Sequence, residues 1–501
     1  MRLKTALLLL LSVVIVSPVL AILIVRWHMM ASPAPKPDFA DFGRYLTALN
    51  LSHDPVAARI RRQIADGPAA LARERAMAQA EGLDMDPAHL QPPMPPADRN
   101  AAPLYDCWDT LRKASKMHFP MYADPLGYGY TYTPAQLAGV QAILDAHKDA
   151  MALLHQAADR PKCVYQDDWL HINTNDRPIT RGEDQREAVR ELCTESFLLA
   201  EQGHFAEAVT DQTRGFRVDE HAASAPTLMG YLTGNAVEEV TLAGMESILN
   251  IAGPDPIVTA RVRQTIAMHR SRMLLKPHLA GDATLSPEYM ESLRAISPSQ
   301  LAAFFSSSSG YGVSPSLDPS ARFSAGERLF VNHLVDAIEA DDLHRWREMI
   351  AVADAPRAVR LQFETQSALE AAAAKADPAH RLSPVSLVTD RNPLDFTFLT
   401  AIDDRLKAEE QALMAAAEAM ETKGRTGTYP AHLAGRYPDP FADGKTLQYR
   451  REGANGFAVY SVGPTRKFRG ILPKGRRRDL SEVVFRYPGP PLKPVPASLL
   501  K

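Results

Sequence analysis

The sequence predicts a mainly α-helical protein: an irregular bundle of helix hairpins, closed by a small C-terminal antiparallel β-meander packed on a helix. Two observations predict it. Through most of the chain, apolar residues recur every three or four positions, the spacing of a helix with one buried face. Near the end the pattern gives way to three short runs, LQYRR, GFAVYSV and SEVVFRY, with strand composition, rough alternation and glycine-containing turns. With 501 residues, 46% of them apolar and 23% charged, the chain has material for about three domains and a sizeable core.

Residues 1–30 come first. Arg2 and Lys4 precede an uncharged run from Thr5 to Val25, which Arg26 closes. Such a run is long enough to cross the hydrocarbon core as a helix, and the leading charges favour a cytoplasmic N-terminus. The expectation is a single-pass signal-anchor in the inner (cytoplasmic) membrane, held through residues 5–25, with the bulk of the chain periplasmic. A signal peptide cleaved after Ala21 is the competing reading. Pro18 and Val19-Leu20-Ala21 favour it, and the apolar continuation Ile22-Leu23-Ile24-Val25 opposes it.

Residues 31–99 read as a proline-rich stalk with short helices, where Leu46, Leu49, Ile60 and Ile64 fall at rough helical spacing. Residues 100–300 form a helical body that opens on NAAPLY. A helix runs from Pro134, a favourable first helical position, to about Ala158, with Leu137, Val140, Ile143, Leu144, Met151 and Leu154 on one face. From Glu183 the chain reads helix, glycine turn at Gly203, helix. Val189, Leu192, Phe197 and Leu198 mark the first buried face, and Phe205, Val209 and Phe216 the second. In the stretch 226–250, the small residues Gly230, Gly234, Ala236, Ala243 and Gly244 let helices approach closely, and Glu238, Glu239 and Glu246 argue against a second membrane span. No steady 34-residue period occurs, so a regular helical solenoid is unsupported.

Residues 301–325 are a Ser/Gly/Pro linker. Residues 326–425 are a helical segment, with helices near 324–352 and 400–422 and an alanine-rich piece at 367–376. Residues 426–501 make the α+β ending. There Asp439 before Pro440 suits a turn, Gly444, Gly453 and Gly456 serve turns, and Phe441, Leu447, Tyr449, Phe457 and Val459 bury one face of the meander against the 400–422 helix.

GTYPAHLAG, DPFADGKTLQYR and NGFAVYSVGP in this ending resemble the C-terminal region of type II secretion major pseudopilins. With NAAPLY (100–105) and PTLMG (226–230), the chain further resembles a group of uncharacterised bacterial envelope proteins. The resemblance implies a helix leading through a G-x-Y-P turn into the sheet, and a secretion-apparatus setting. Two departures limit it. The N-terminal run has no acid from Met1 to Val25, against an assembled pilin, and Thr465-Arg466-Lys467-Phe468-Arg469 replaces the acidic loop that binds calcium, so no calcium is carried over.

Net charge is −3, so the whole molecule has no polyanion-binding signature and no nucleic-acid partner is expected. Cys107, Cys163 and Cys193 form no CxxC pair. Three separate buried thiols are expected, with a single disulfide of unassigned pairing as the alternative. Asp167, Asp168, His171 and Asp176 cluster in DDWLHINTND, without the ligand spacing of a known zinc or calcium site. His333 and His344 lie too far apart on one helix for a single ion; Asp341 and His344, three apart, are close enough to share one. SSSSG (306–310) is no nucleophile elbow, and HExxH, P-loop and GxGxxG fingerprints do not occur. Arg466, Lys467, Arg469, Lys474, Arg476, Arg477 and Arg478 form a basic run suited to an anionic lipid surface or an acidic partner.

No catalytic, cofactor-binding or metal residue is assigned on this basis, and no oligomeric state follows. The function expected is a non-catalytic interaction or scaffold component, with an envelope protein as partner. The alternatives are an exported metal-assisted hydrolase of an envelope polymer, resting on 167–176, and a secretion-apparatus accessory, resting on the resemblance.

Overall fold

A computed structural model of the chain describes residues 34–36, 42–114, 130–166, 179–269, 274–295, 297–298, 322–389, 396–442, 444–463, 484–489 and 493–494. The helices are α1 (Phe42–Leu51), α2 (Pro55–Ala65), α3 (Gly67–Ala80), α4 (Ala102–Ala114), α5 (Pro134–Ala146), α6 (Lys148–Ala158), α7 (Ile179–Glu201) and α8 (Phe205–Ala222). They continue with α9 (Leu228–Ala252), α10 (Pro256–His269), α11 (Leu275–Ala295), α12 (Ala325–Val352), α13 (Arg357–Ala376), α14 (Pro378–Leu382), α15 (Pro384–Thr389) and α16 (Phe396–Thr426). The strands are β1 (Tyr130–Thr131), β2 (Gln448–Glu452), β3 (Gly456–Tyr460), β4 (Val484–Tyr487) and β5 (Lys493–Pro494). The protein is mainly helical, with a three-stranded antiparallel sheet in the order β2-β3-β4 near the C-terminus.

The expectation of a transmembrane signal-anchor protein of the inner membrane is corrected. Among the described residues, no helix is long and apolar enough to cross a membrane. The run 5–25 on which that expectation rested lies outside the described residues, as do the linker residues 301–321 and the basic run 466–478.

The chain divides into two compact units. The first takes in Met1–Met85, Ala283–Glu348 and Phe363–Leu394; the second takes in Asp86–Asp282, Met349–Gln362 and Asp395–Lys501. In the first unit, Leu46, Leu49, Ile60 and Ile64 are buried as their spacing predicts, in one core with Leu334, Val335 and Ile338 of α12. Asp54 starts α2: its Oδ1 accepts the Val56 amide at 2.8 Å and its Oδ2 accepts the Ala34 amide at 2.9 Å. Such a cap contributes about 1 kcal/mol. Gly67 lets α3 come against α12, because a Cβ there would fall on the His333 carbonyl oxygen. Arg347, on the buried side of α12, binds both Glu74 and Glu81.

In the second unit, Thr133 and Gln136 form a reciprocal capping box ahead of α5. The single helix expected over 134–158 is two helices, broken at His147, which leaves helical geometry at φ −115°, ψ 22°. No glycine or proline marks this break in the sequence. The hairpin expected at Gly203 is present; its φ of +83° lies in the left-handed region that glycine tolerates. Val189, Leu192, Phe197, Leu198, Val209 and Phe216 are buried and Phe205 partly so. Cys163 and Cys193 are buried but Cys107 is exposed, which corrects the expectation of three buried thiols; all three are free.

The ending confirms the helix-covered sheet and alters two details. Phe441, Leu447, Phe457 and Val459 share a core with Ala412, Ala416 and Met420 of α16. All five residues of β3 are buried, so both faces of this central strand are covered, not one. Gly456 is the first residue of β3, paired with Glu452, and not a turn residue; the turn glycine is Gly453 at φ +72°. Asp439 accounts for the joint between DPF and YSVG. Its Oδ1 accepts the Phe441 amide at 2.9 Å and the Ser461 hydroxyl at 2.8 Å, and its Oδ2 accepts the Val462 amide at 3.1 Å. One buried carboxylate thus ties the loop before the sheet to the end of its middle strand.

Candidate functional site

Two clusters of His and carboxylate side chains form in the second unit, and the pairing of α8 with α7 and α9 places both. Along α8, Asp211, Gly215 and Asp219 follow at four-residue intervals, and all three are buried. Asp211 lies behind His155, which lines a surface cleft; Asp219 belongs to the interior.

The cleft is formed by residues of α5, α6 and α7 and holds about 250 Å³. Leu144, Met151, Ala152, Leu198 and Leu199 supply apolar walls, and Asp145, Lys148, His155 and Glu195 supply charge. His155 sits beside the buried stripe of α6 (Met151, Leu154, Ala158) and is therefore only partly covered. Its Nε2 lies 2.7 Å from Glu195 Oε2 and 3.8 Å from Asp211 Oδ1. Arg214 Nη1 donates to Asp211 Oδ1 at 2.9 Å, and its Nε and Nη2 hold Asp159 at 2.9 and 3.1 Å. Burial alone would depress the His155 imidazole; the Glu195 carboxylate bonded to it, with Asp211 behind, holds it above its ordinary value. Burial, with Glu195 adding to it, pushes Asp211 up to about 7. The cluster already contains its own cation, Arg214.

The interior cluster is Asp219 of α8, Glu238 of α9 and His269 of α10, one ligand atom from each lying within 4.8 Å of the others. Close approach of α8 and α9 produces it. A Cβ on Gly244 would fall on the Gln212 side chain, and one on Gly215 would stand 2.7 Å from Thr241 Oγ1. This antiparallel register carries Asp219 to the level of Glu238. His269, the last residue of α10, stacks on Phe216 with ring centroids 4.2 Å apart. Its Nε2 lies 3.0 Å from Asp219 Oδ2, and its Nδ1 lies 3.9 Å from Glu220 Oε1. Asp219 is 0% exposed, and Glu238 and His269 are each 7% exposed. Burial, with the nearby Asp219 and Glu410 charges, holds Glu238 far above the usual carboxylate range. Burial would depress His269, but Asp219 and Glu220 reverse that and lift it to about 10.

The candidates read from the sequence fare differently. Asp167, Asp168, His171 and Asp176 lie outside the described residues, as does SSSSG. Asp341 and His344 do not converge: Asp341 pairs with Arg345 at 3.1 Å, while His344 lies 3.6 Å from Glu74 and 3.4 Å from Glu348. Sequence reasoning missed Asp219, Glu238 and His269 because each lies on a different helix, with no motif spacing to join them. One signal was present. Glu238 interrupts a helix of small and apolar residues, and the structure buries it. Its neighbour Glu239 turns instead to Arg405, bonded at 3.0 and 2.7 Å.

No family model matches the chain, and no match was found among curated proteins or solved structures.

Proposed function

We propose that this protein is a non-catalytic binding protein and that the α5–α7 cleft takes its ligand. The observation that carries this reading is the composition of the cleft: an apolar wall beside two acids, two bases and the carboxamides of Gln141 and Gln202, with no hydroxyl or thiol among the described residues that line it. Of the charged groups, His155 pairs with Glu195 in the cleft wall, and Asp211 pairs with Arg214 behind it. Such pairing suits a surface that orients a ligand more than one that supplies a nucleophile. The volume, about 250 Å³, is below the range of drug-sized pockets, which begins at ~300 Å³. The ligand class that fits is a small zwitterion with an apolar side chain. Its ammonium meets Asp145 and Glu195, its carboxylate meets Lys148 and His155, and its side chain lies on Met151 and Leu198.

Ligand-observed NMR against a panel of free amino acids and dipeptides, at neutral pH, tests this. Apolar members are expected to bind, and Glu195→Gln or Lys148→Ala is expected to weaken them by about tenfold, the loss of roughly 1.4 kcal/mol. A panel with no binder, or binding indifferent to both substitutions, removes the reading.

A further inference from the structure

We propose that Asp219, Glu238 and His269 form a binding site for one divalent transition-metal ion, with zinc(II) as the best-suited ion, enclosed in the core of the second unit. The proposal stands apart from the cleft reading and shares no residue with it.

Three observations carry it. The donor set comes first. One imidazole nitrogen and two carboxylates converge, with ligand atoms within 4.8 Å of one another. Ligands about 2.0–2.2 Å from a common ion stand at most ~4.4 Å apart, so small side-chain shifts complete the geometry. Imidazole with carboxylate selects borderline ions such as zinc over calcium or magnesium, which prefer all-oxygen sites.

The second observation is unsatisfied hydrogen-bonding capacity. Asp219 is 0% exposed, yet neither of its carboxylate oxygens has a hydrogen-bond partner among the described residues. His269 Nε2 and Asp219 Oδ2 make an ion pair at 3.0 Å that is off hydrogen-bond alignment, and His269 Nδ1 has no hydrogen-bond partner among the described residues. Buried carboxylate oxygens are rarely left so, because their lost hydration is then not replaced. Two donor atoms close together but not bonded to each other have the arrangement of neighbours on one ion. His269 Nδ1 faces Glu220 Oε1 at 3.9 Å, and a carboxylate behind the second ring nitrogen is the usual support of a metal-bound histidine.

The third is charge. None of the groups acting most strongly on Asp219, Glu238 or His269 is an arginine or lysine; they are Glu220, Glu410, Asp403, His278 and the three residues themselves. His278 is committed elsewhere, its two ring nitrogens each 2.8 Å from a backbone carbonyl, of Leu274 and Ala223. The cleft cluster of His155, Glu195 and Asp211 differs on this count, because Arg214 fills the cation's role there. The interior acids have only the His269 imidazole in that role among the described residues, and a dication bound there takes the place of its proton. Because the cluster is enclosed, the ion is structural: closed sites hold metal for stability, and catalytic ones keep an open position.

The test uses the full chain, stripped with chelator and then equilibrated for hours with zinc(II), since entry to a buried site is slow. Competition with a chromophoric chelator gives stoichiometry and affinity, and thermal unfolding gives the effect on stability. The proposal expects one ion per chain and a rise in melting temperature of about 5 °C at a hundredfold excess over Kd. Asp219→Asn combined with Glu238→Gln keeps shape and removes charge. The double variant is expected to melt no lower than the metal-free parent and to lose at least a hundredfold in affinity. His171→Ala, in the 167–176 cluster, is expected to bind as the parent does. Zinc binding that survives in the double variant, that follows His171→Ala instead, or that leaves the melting temperature unmoved overturns the proposal.

Discussion

Glu191 shows how a single buried side chain sets a pH dependence. It lies on α7, 3% exposed, and its Oε2 accepts the Trp108 indole N–H at 3.0 Å. Burial raises its carboxyl from 4.5 to about 8, although the Trp108 bond and the nearby Arg112 oppose the rise. The folded protein therefore keeps a proton that the unfolded chain releases. Stability from this group is intact below pH 4.5, falls as pH rises toward 8, and is level beyond. A glutamine in its place would keep the Trp108 bond without titrating. Glu191→Gln is predicted to change little at pH 4.5 and to stabilise by roughly 3 kcal/mol at pH 7. Denaturant unfolding of both proteins at the two pH values checks this; an equal difference at both would refute the assignment. Asp439 has a structural part. It is as buried as Glu191, and it accepts three hydrogen bonds, from Phe441, Ser461 and Val462, and so holds the ending together.

Helix packing decides which glycines matter. Gly139 lies mid-way along α5, exposed, with nothing within 4 Å of where a Cβ would stand. Gly281 on α11 lies against Pro226, where a Cβ would fall on the carbonyl oxygen. Gly139→Ala is predicted to stabilise by about 0.5–1 kcal/mol and Gly281→Ala to destabilise by about 1–3 kcal/mol. Thermal melts of the two variants separate these signs, and stabilisation by both would show that α11 does not approach Pro226 as described. The same elements show what a sequence can reveal. The α7–α8 hairpin is legible because Gly203 interrupts two runs of helical period. The meander is legible because alternating aromatic residues and turn glycines are local signals. The break at His147 carries no glycine or proline and is set by packing. Burial of both faces of β3 depends on what covers the sheet. Trp108 and Glu191 meet across 83 positions of sequence, and the Asp219, Glu238 and His269 cluster spans three helices. Contacts of that kind follow from helix register, which periodicity alone does not specify.

At the scale of the whole molecule, each of the two units has its own pattern of charge. In the first unit the buried carboxylate Glu339 is matched with two arginines, Arg75 and Arg294. The second unit does the same at Asp404, which binds Arg357 and Arg360, and meets Glu191 and Asp439 with neutral hydrogen-bond donors; it departs from both arrangements at Asp219 and Glu238. There, closely packed helices enclose acids that have an imidazole for company and no guanidinium among the described residues. A metal ion held by Asp219, Glu238 and His269 would account for that exception. Anomalous diffraction at the zinc absorption edge, from crystals of the zinc-equilibrated protein, is the decisive experiment. The predicted result is one dominant peak about 2 Å from Asp219, Glu238 and His269 Nε2. Zinc peaks confined to surface histidines, with none between these three side chains, would contradict it.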